Sequence, residues 1–381
     1  MNLYIQSAMI AIFATTLDEN DGGISRSIPS LFSSVGAAGG DVILVYPDFG
    51  NPLAVDPSSL SFPSIRIPMK GWWHNPLCNA IGLRPVLDQL KALGVTIFHH
   101  GGIWTATNHL VARYARANGI GLVCSPRGML DTWAMSYKSL KKQLCWNIYA
   151  HRDLASVNLF HATSDLERSY IQKLGFEQEI VTIPNGVEVP CISDLPEKPR
   201  QEVRKLLFLS RVHPKKGIDL LIKAWAQVKP LGWRVQVAGP DEENHTSEMM
   251  QLALKLGVKA DFDFLGNISE ADKWSYFRKA DAFVLPTYAE NFGIVVAEAL
   301  ACETPVLTTD SAPWGFLDEE GCGWSVTTNV EGLIQGLQCL NKIDRDQLKS
   351  MGQRGRKFVK DKYSWKKIGE DMLAAYQKIS V

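Results

Sequence analysis

Two periodicities alternate along this chain. Short apolar runs rich in β-branched residues read as strands, and longer runs with an apolar residue every three or four positions read as amphipathic helices. The alternation is clearest in the second half. There Lys205–Leu209 precedes a helical pattern over Gly217–Val228, and Arg234–Ala238 precedes Thr246–Leu256. Asp261–Leu265 then precedes Glu270–Arg278, Ala282–Pro286 precedes Phe292–Ala301, and Pro305–Thr308 follows. In the first half Ala8–Ala14, Asp41–Tyr46, Val95–His99, Ile120–Cys124, Val157–His161 and Ile180–Ile183 read as strands. Ile24–Ala37, Ala80–Leu93, Thr105–Asn118 and Tyr137–His151 read as helices. This order predicts an α/β fold built on parallel sheets wrapped by helices. Ligands of such sheets bind at the carboxyl ends of the strands. The polar stretch Pro190–Gln201, with three prolines, reads as a linker, and Trp365–Ile379 reads as a last amphipathic helix.

Composition narrows the function classes. A length of 381 residues suggests two or three domains, and 46 % hydrophobic residues suffice for sizeable cores. Lys+Arg and Asp+Glu both number 40, which argues against a generic polyanion binder and so against nucleic acid. The seven cysteines are scattered, with no C-x-x-C pair, so neither a disulfide framework nor a zinc site is expected, and a cytoplasmic setting fits. No Lys or Arg precedes Arg26, so the apolar start reads as a buried strand rather than a signal peptide. No apolar run approaches the ~18 residues of a membrane span.

The chemistry concentrates at strand ends. Glu290 and Glu298 lie eight residues apart around Asn291, Phe292, Gly293, Ile294 and Val295, where a helix opens after a buried strand. A helix start offers unpaired N–H groups to an anion, and a carboxylate accepts hydrogen bonds from the vicinal hydroxyls of a sugar. A phosphate site between two hydroxyl-binding carboxylates describes a pocket for a nucleotide sugar. Arg211 and Lys216, five residues apart after Lys205–Leu209, can converge on one diphosphate. Gly22 and Gly23 precede a helix and permit close ligand approach, though a plain turn fits equally. They lack the G-x-G-x-x-G spacing of a nicotinamide site. His99 and His100 end another strand as ligand contacts or caps. Arg127 ends the next, as a ligand contact or a structural ion pair. Asp261 and Asp263 resemble a D-x-D metal motif but fall within a strand, so a structural role is expected and no metal. Asp344 and Asp346 read as helix capping. Lys138, Lys141 and Lys142 beside Trp133, Tyr137 and Trp146 suit either an anionic membrane or an ordinary surface helix.

Taken together these residues resemble the GT-B-fold retaining glycosyltransferases of family four. The likeness is strongest over Leu206–Trp324 and also carries Ile183-Pro-Asn-Gly-Val187. It implies two Rossmann-like domains facing a central cleft: 1–190 for the acceptor and 201–364 for the donor, with helix 365–381 packing back on the first. By the resemblance, Arg211 and Lys216 hold the donor diphosphate, Glu290 binds the donor sugar and Glu298 the ribose. Amides of residues 291–295 meet sugar and phosphate, completed by Gly22 and Gly23. The implied reaction moves a hexose from a UDP- or GDP-linked sugar to a saccharide or lipid-linked acceptor, without metal or other cofactor. The expected product belongs to surface polysaccharide or lipopolysaccharide, and the expected setting is the cytoplasm or the inner face of the cytoplasmic membrane. Two positions depart from the family: Arg127 where many relatives carry histidine, and Glu303 where glycine is usual. A GT-B-fold sugar-nucleotide epimerase and a non-catalytic nucleotide-sugar-binding protein are the alternatives.

Overall fold

The computed structural model describes residues 8–19, 23–69, 82–131, 134–135, 139–198 and 202–379. Its contacts divide the chain into two units: residues 1–186 with 365–381, and residues 187–364.

The first unit is built on a seven-stranded sheet. Its strands are β1 (Met9–Phe13), β2 (Asp41–Asp48), β3 (Ser64–Pro68), β4 (Val95–Gly101), β5 (Gly121–Ser125), β6 (Leu159–Ala162) and β7 (Glu179–Thr182). All pair in parallel, in the order β3-β2-β1-β4-β5-β6-β7. Ile10, Ala11, Ile12 and Phe13 are all buried, because helices cover both faces of a parallel sheet. That explains a continuous apolar run at the start of the chain. The helix Trp365–Gln377 packs on the helix Ile24–Ala37. Gly369 permits the approach, since a Cβ there would lie 2.3 Å from the Ser34 carbonyl oxygen.

The second unit holds six strands: β8 (Arg204–Leu209), β9 (Trp233–Ala238), β10 (Phe262–Gly266), β11 (Ala282–Leu285), β12 (Val306–Thr309) and β13 (Gly323–Val326). They too are parallel, in the order β10-β9-β8-β11-β12-β13. Every side chain of β11 is fully buried. The proline-rich stretch is fastened along this unit: Arg356 donates to the Pro190 carbonyl at 2.7 Å and Lys198 to that of Glu303 at 3.2 Å.

Several elements depart from the expected pattern. β3 and β13 are edge strands, short and covered on one side, so their apolar signal is weak. The helices Val330–Lys342 and Arg345–Lys362 complete the second unit, the latter closed by a capping box between Asp344 and Gln347. The helix expected from Phe292 starts at Ile294. Glu298 therefore lies about one turn inside it. The helix expected over Tyr137–His151 has a π-helical turn at Trp146–Ala150.

Candidate active site

In an open parallel sheet the binding crevice forms where strand order reverses. In the second unit that point lies between β8 and β11. The loops leaving these strands carry Arg211 and Lys216 on one side and Glu290 on the other. Backbone contacts hold the loops together: the Tyr288 N–H and the Thr287 hydroxyl both donate to the Lys215 carbonyl, at 2.8 and 3.0 Å. Gly217 makes this possible. It sits at φ 69°, and a Cβ would lie 1.9 Å from the Pro286 carbonyl oxygen. The loops meet in an ion pair, Lys216 Nζ to Glu290 Oε2 at 2.5 Å, with side-chain exposures of only 10 and 15 %. Burial alone would push the Glu290 carboxyl up, but the charge and hydrogen bond of Lys216 hold it below its ordinary value.

Beyond the pair, the helix Ile294–Ala301 begins from Gly293, in the left-handed conformation at φ 75°. Its first turn directs the N–H groups of Ile294 and Val295 out of the helix end. Asn291 is half-buried beside them. Phe292 faces inward: its ring packs on Trp314 and Tyr363, and its carbonyl accepts the Trp314 indole N–H at 2.5 Å. Glu298 is buried and pairs with Lys273 at 2.7 Å. Lys273 also meets Glu270. Burial would lower the Lys273 pKa, yet Glu298 and Glu270 raise it. Arg211 is half-exposed and donates to Glu242 Oε1 at 2.7 Å, so in this structure it does not join Lys216 on Glu290.

Asp261 and Asp263 do not share a strand face. Asp261 lies in the 3-10 turn Lys259–Asp261, ahead of β10, and accepts the Trp225 indole N–H at 3.1 Å. Asp263 pairs with Arg234 at 2.6 Å. Among the described residues, no group of three or more His, Cys, Asp or Glu side chains is gathered as metal ligands.

The first unit reverses its strand order between β1 and β4. Gly23 opens the helix Ile24–Ala37 near that point without a side-chain cap, and Gly22 lies outside the described residues. His99 and His100, at the end of β4, are both buried. His99 belongs to a relay whose direction is fixed at one end. His161 Nε2–H donates to the Ile183 carbonyl at 2.8 Å, leaving Nδ1 to accept the Ser125 hydroxyl at 2.7 Å. Ser125 Oγ then accepts His99 Nε2–H at 2.6 Å, and His99 Nδ1 accepts the Tyr376 hydroxyl at 2.5 Å. Burial drives His161 down to about 3 and His100 to about 4, and holds His99 well below its ordinary value. All three are neutral imidazoles near pH 7. His100 donates through Nδ1 to the Gly102 carbonyl at 3.0 Å.

Arg127 follows β5 at φ 55°, a left-handed conformation that costs a side-chain-bearing residue roughly 1–2 kcal/mol. Its guanidinium donates to Asn185 Oδ1 at 2.6 Å, and no structural ion pair forms on it among the described residues. In the basic segment, Trp133, Tyr137 and Lys138 lie outside the described residues. Trp146 packs inward near Trp104 and Phe176, and Lys142 leans over the Trp104 ring. The exposed apolar side chains of this helix are instead Leu140, Leu144 and Ile148, at 82, 62 and 68 %.

Sequence reasoning had no signal for Lys273 as the partner of Glu298. Its spacing from Glu270 fits a helix-surface pair, and the second contact is tertiary. Ser125, His161 and Tyr376 were equally silent, because each joins the relay across more than 25 positions.

Comparison with known proteins defines the class. The model of Glycosyltransferase Family 4 matches residues 21–189, and that of Glycosyl transferases group 1 matches residues 194–358. The chain belongs to the GT-B glycosyltransferases of this type. A D-inositol 3-phosphate glycosyltransferase of Mycobacterium bovis (strain BCG / Pasteur 1173P2) is 33 % identical over 184 residues, 46 % of this chain and 37 % of that protein. The chain thus matches little more than a third of that relative's length. Among solved structures, a sucrose-phosphate synthase from Thermosynechococcus elongatus superposes with TM-score 0.77 at 20 % identity, covering 97 % of this chain and 98 % of that one. Anabaena HepE in complex with UDP and glucose superposes with TM-score 0.74 at 17 % identity, over 97 and 100 %. These likenesses establish the α/β two-domain Rossmann-like fold.

Proposed function

We propose that this chain transfers a hexose from a UDP- or GDP-linked sugar to a saccharide or lipid-linked acceptor, with retention of configuration. The carrying observation is the buried Lys216–Glu290 pair at the strand-order reversal, beside the first turn of the helix Ile294–Ala301. A diphosphate arriving there offers Lys216 a second anion, and Arg211 reaches it by leaving its exposed contact with Glu242. Glu290 then accepts hydroxyls of the transferred sugar, and Glu298 accepts those of the ribose. In the first unit, Gly23 leaves the start of the helix Ile24–Ala37 open to a ligand, and His99 and His100 stand at the carboxyl end of β4 as neutral groups.

The mechanism follows from the charges. Glu290 spends its oxygens on hydroxyls of the transferred sugar rather than on its anomeric carbon, so the acceptor hydroxyl attacks from the face the phosphate leaves. The bond from the anomeric carbon to the phosphate oxygen breaks as the bond to the acceptor oxygen forms, and the acceptor proton passes to the leaving phosphate. Lys216, Arg211 and the helix amides stabilise the negative charge that grows there, so no metal is required. The bound UDP and glucose of HepE, and WaaG, a relative described as involved in lipopolysaccharide biosynthesis, support this reading. Incubation with candidate donors and acceptors, with the anomeric configuration of the product read by NMR, tests it. An inverted product, or an altered sugar released without acceptor, overturns it.

The acceptor reading places the protein on an anionic membrane surface. Leu140, Leu144 and Ile148 form an exposed stripe flanked by exposed Lys141 and Arg152. The acid of this segment, Asp153, is buried against His109. Sedimentation with anionic vesicles should exceed that with neutral ones, and Leu140→Ser with Ile148→Ser should abolish the difference. Equal sedimentation with both vesicle types removes the membrane from the proposal.

A further inference from the structure

We propose that the carboxyl end of the first unit's sheet holds a site for an anionic group, a carboxylate or phosphate carried by the acceptor or by the transferred sugar, with Arg127 as the residue that recognises it. What the anion is attached to rests on the transferase reading above. The site itself rests on its own geometry. Arg127 is more than nine-tenths buried. One of its N–H groups meets Asn185, a neutral acceptor, and its Nε is buried with no partner.

Glu167 favours the guanidinium's charge through space, but its hydrogen bonds go to other groups. Glu167 Oε1 accepts the Gly128 N–H at 2.6 Å. Its Oε2 accepts the Thr163 N–H at 2.8 Å and the Thr163 hydroxyl at 3.0 Å. His99 and His161 stand close enough to feel the guanidinium, and the relay uses both nitrogens of each ring. The fold thus buries a guanidinium that Glu167 supports only through space, with a neutral acceptor as its one bonded partner among the described residues, at the sheet end where ligands bind and on backbone that favours glycine. A buried guanidinium that touches no anion is costly, and a ligand oxyanion supplies that contact. The planar fork of arginine suits a carboxylate or phosphate better than a neutral hydroxyl.

Ligand-observed NMR on the whole chain tests this with three probes: glucose 6-phosphate, glucuronate and glucose. Wild type should bind the two anionic probes about tenfold more tightly than glucose. Arg127→Gln should lose that preference while its binding of UDP or GDP stays unchanged. Arg127→Lys should keep part of it and guards against a folding failure of the glutamine variant. Two further arms locate the anion. Faster hydrolysis of UDP-glucuronate than of UDP-glucose, lost in Arg127→Gln, places it on the transferred sugar. Faster transfer to a sugar phosphate than to the plain sugar, lost in the same variant, places it on the acceptor. Anionic probes that bind wild type and Arg127→Gln alike, or bind wild type no better than glucose, overturn the site. A wild type that shows the anion preference but binds neither UDP nor GDP overturns the transferase reading and leaves the site standing.

Discussion

The two units place opposite polar chemistry at the carboxyl ends of their sheets. The second unit buries charge in pairs, Lys216 with Glu290 and Lys273 with Glu298. The first buries neutral imidazoles, His99, His100 and His161, beside the Arg127 guanidinium, on which Glu167 acts through space and no ion pair forms among the described residues. Paired charge is an exchangeable arrangement: a ligand phosphate can replace Glu290 as the partner of Lys216 and release the glutamate to a sugar. A chain of neutral hydrogen bonds is a fixed one, since moving His99, Ser125 or His161 breaks two bonds. The comparison assigns ligand-driven rearrangement to the second unit and rigid positioning to the first.

Lys216→Ala should break the comparison most severely. It removes the cation from the proposed diphosphate site, and turnover should fall by roughly 2–4 kcal/mol of transition-state stabilisation. It also leaves Glu290 buried without its partner, so unfolding stability should drop by about 2–4 kcal/mol. The double variant Lys216→Ala with Glu290→Gln should recover much of the stability and none of the activity. Urea unfolding and initial rates separate the two effects. Recovery of activity in the double variant would show that the pair is structural only.

Acid should separate the units. For the histidines the folded-state pKa lies below the unfolded value near 6.5, so the unfolded chain takes up protons first as pH falls. Stability is therefore lost below about pH 6.5, by about 1.4 kcal/mol per pH unit for each histidine, until His100 and His161 charge in the folded state at about 4 and 3. Glu290 is depressed in the folded state, so its contribution is present above its unfolded value of 4.5 and is lost only below it. Hydrogen exchange at pH 7, 6 and 5 should show protection lost from β4–β6 while β8 and β11 keep theirs. Simultaneous loss in both units would contradict the contrast.

The legibility of the chain follows the same division. β8 to β12 and the helices between them were readable because buried parallel strands are uniformly apolar and the helices keep a clean period. The positions of Lys216 and Glu290 follow from two loops beside the strand-order reversal, which local sequence can place. Their pairing with each other could not be read, because it spans 74 positions. Glu303, where the family resemblance implies glycine, adopts φ 58° and pairs with Arg278, so the backbone requirement was visible and its compensation was not. In the first unit, the relay of His99 is assembled from four separate elements and leaves no local pattern.

The two glutamates sharpen the comparison within the second unit. Glu290→Gln keeps the shape but frees Lys216 from a charged partner, so nucleoside diphosphate affinity should hold or rise while kcat falls. Glu298→Gln should weaken nucleoside diphosphate binding by about tenfold, because the ribose is present with or without the sugar. Calorimetric titration paired with initial rates reads both. The opposite split would mean that the roles are exchanged.

The smallest effect should come from the aspartates that mimic a metal motif. Asp263 pairs with Arg234 on a half-exposed surface, where such a bridge is worth about 0–1 kcal/mol. Asp261 accepts one indole N–H, worth about 1 kcal/mol. Asp261 lies at the amino end of β10, whereas the proposed site occupies the carboxyl ends of β8 and β11. Neither carboxylate therefore stands where a donor diphosphate would be held. Asp261→Asn and Asp263→Asn should leave kcat/KM unchanged and lower stability by no more than about 1 kcal/mol each. Exhaustive EDTA treatment should likewise leave the rate intact, because Lys216, Arg211 and the helix amides supply the positive field. A rate that vanishes on chelation, returns with Mn²⁺ and depends on either aspartate would transfer charge neutralisation from the paired cations to a metal, and the contrast between the two units would need redrawing.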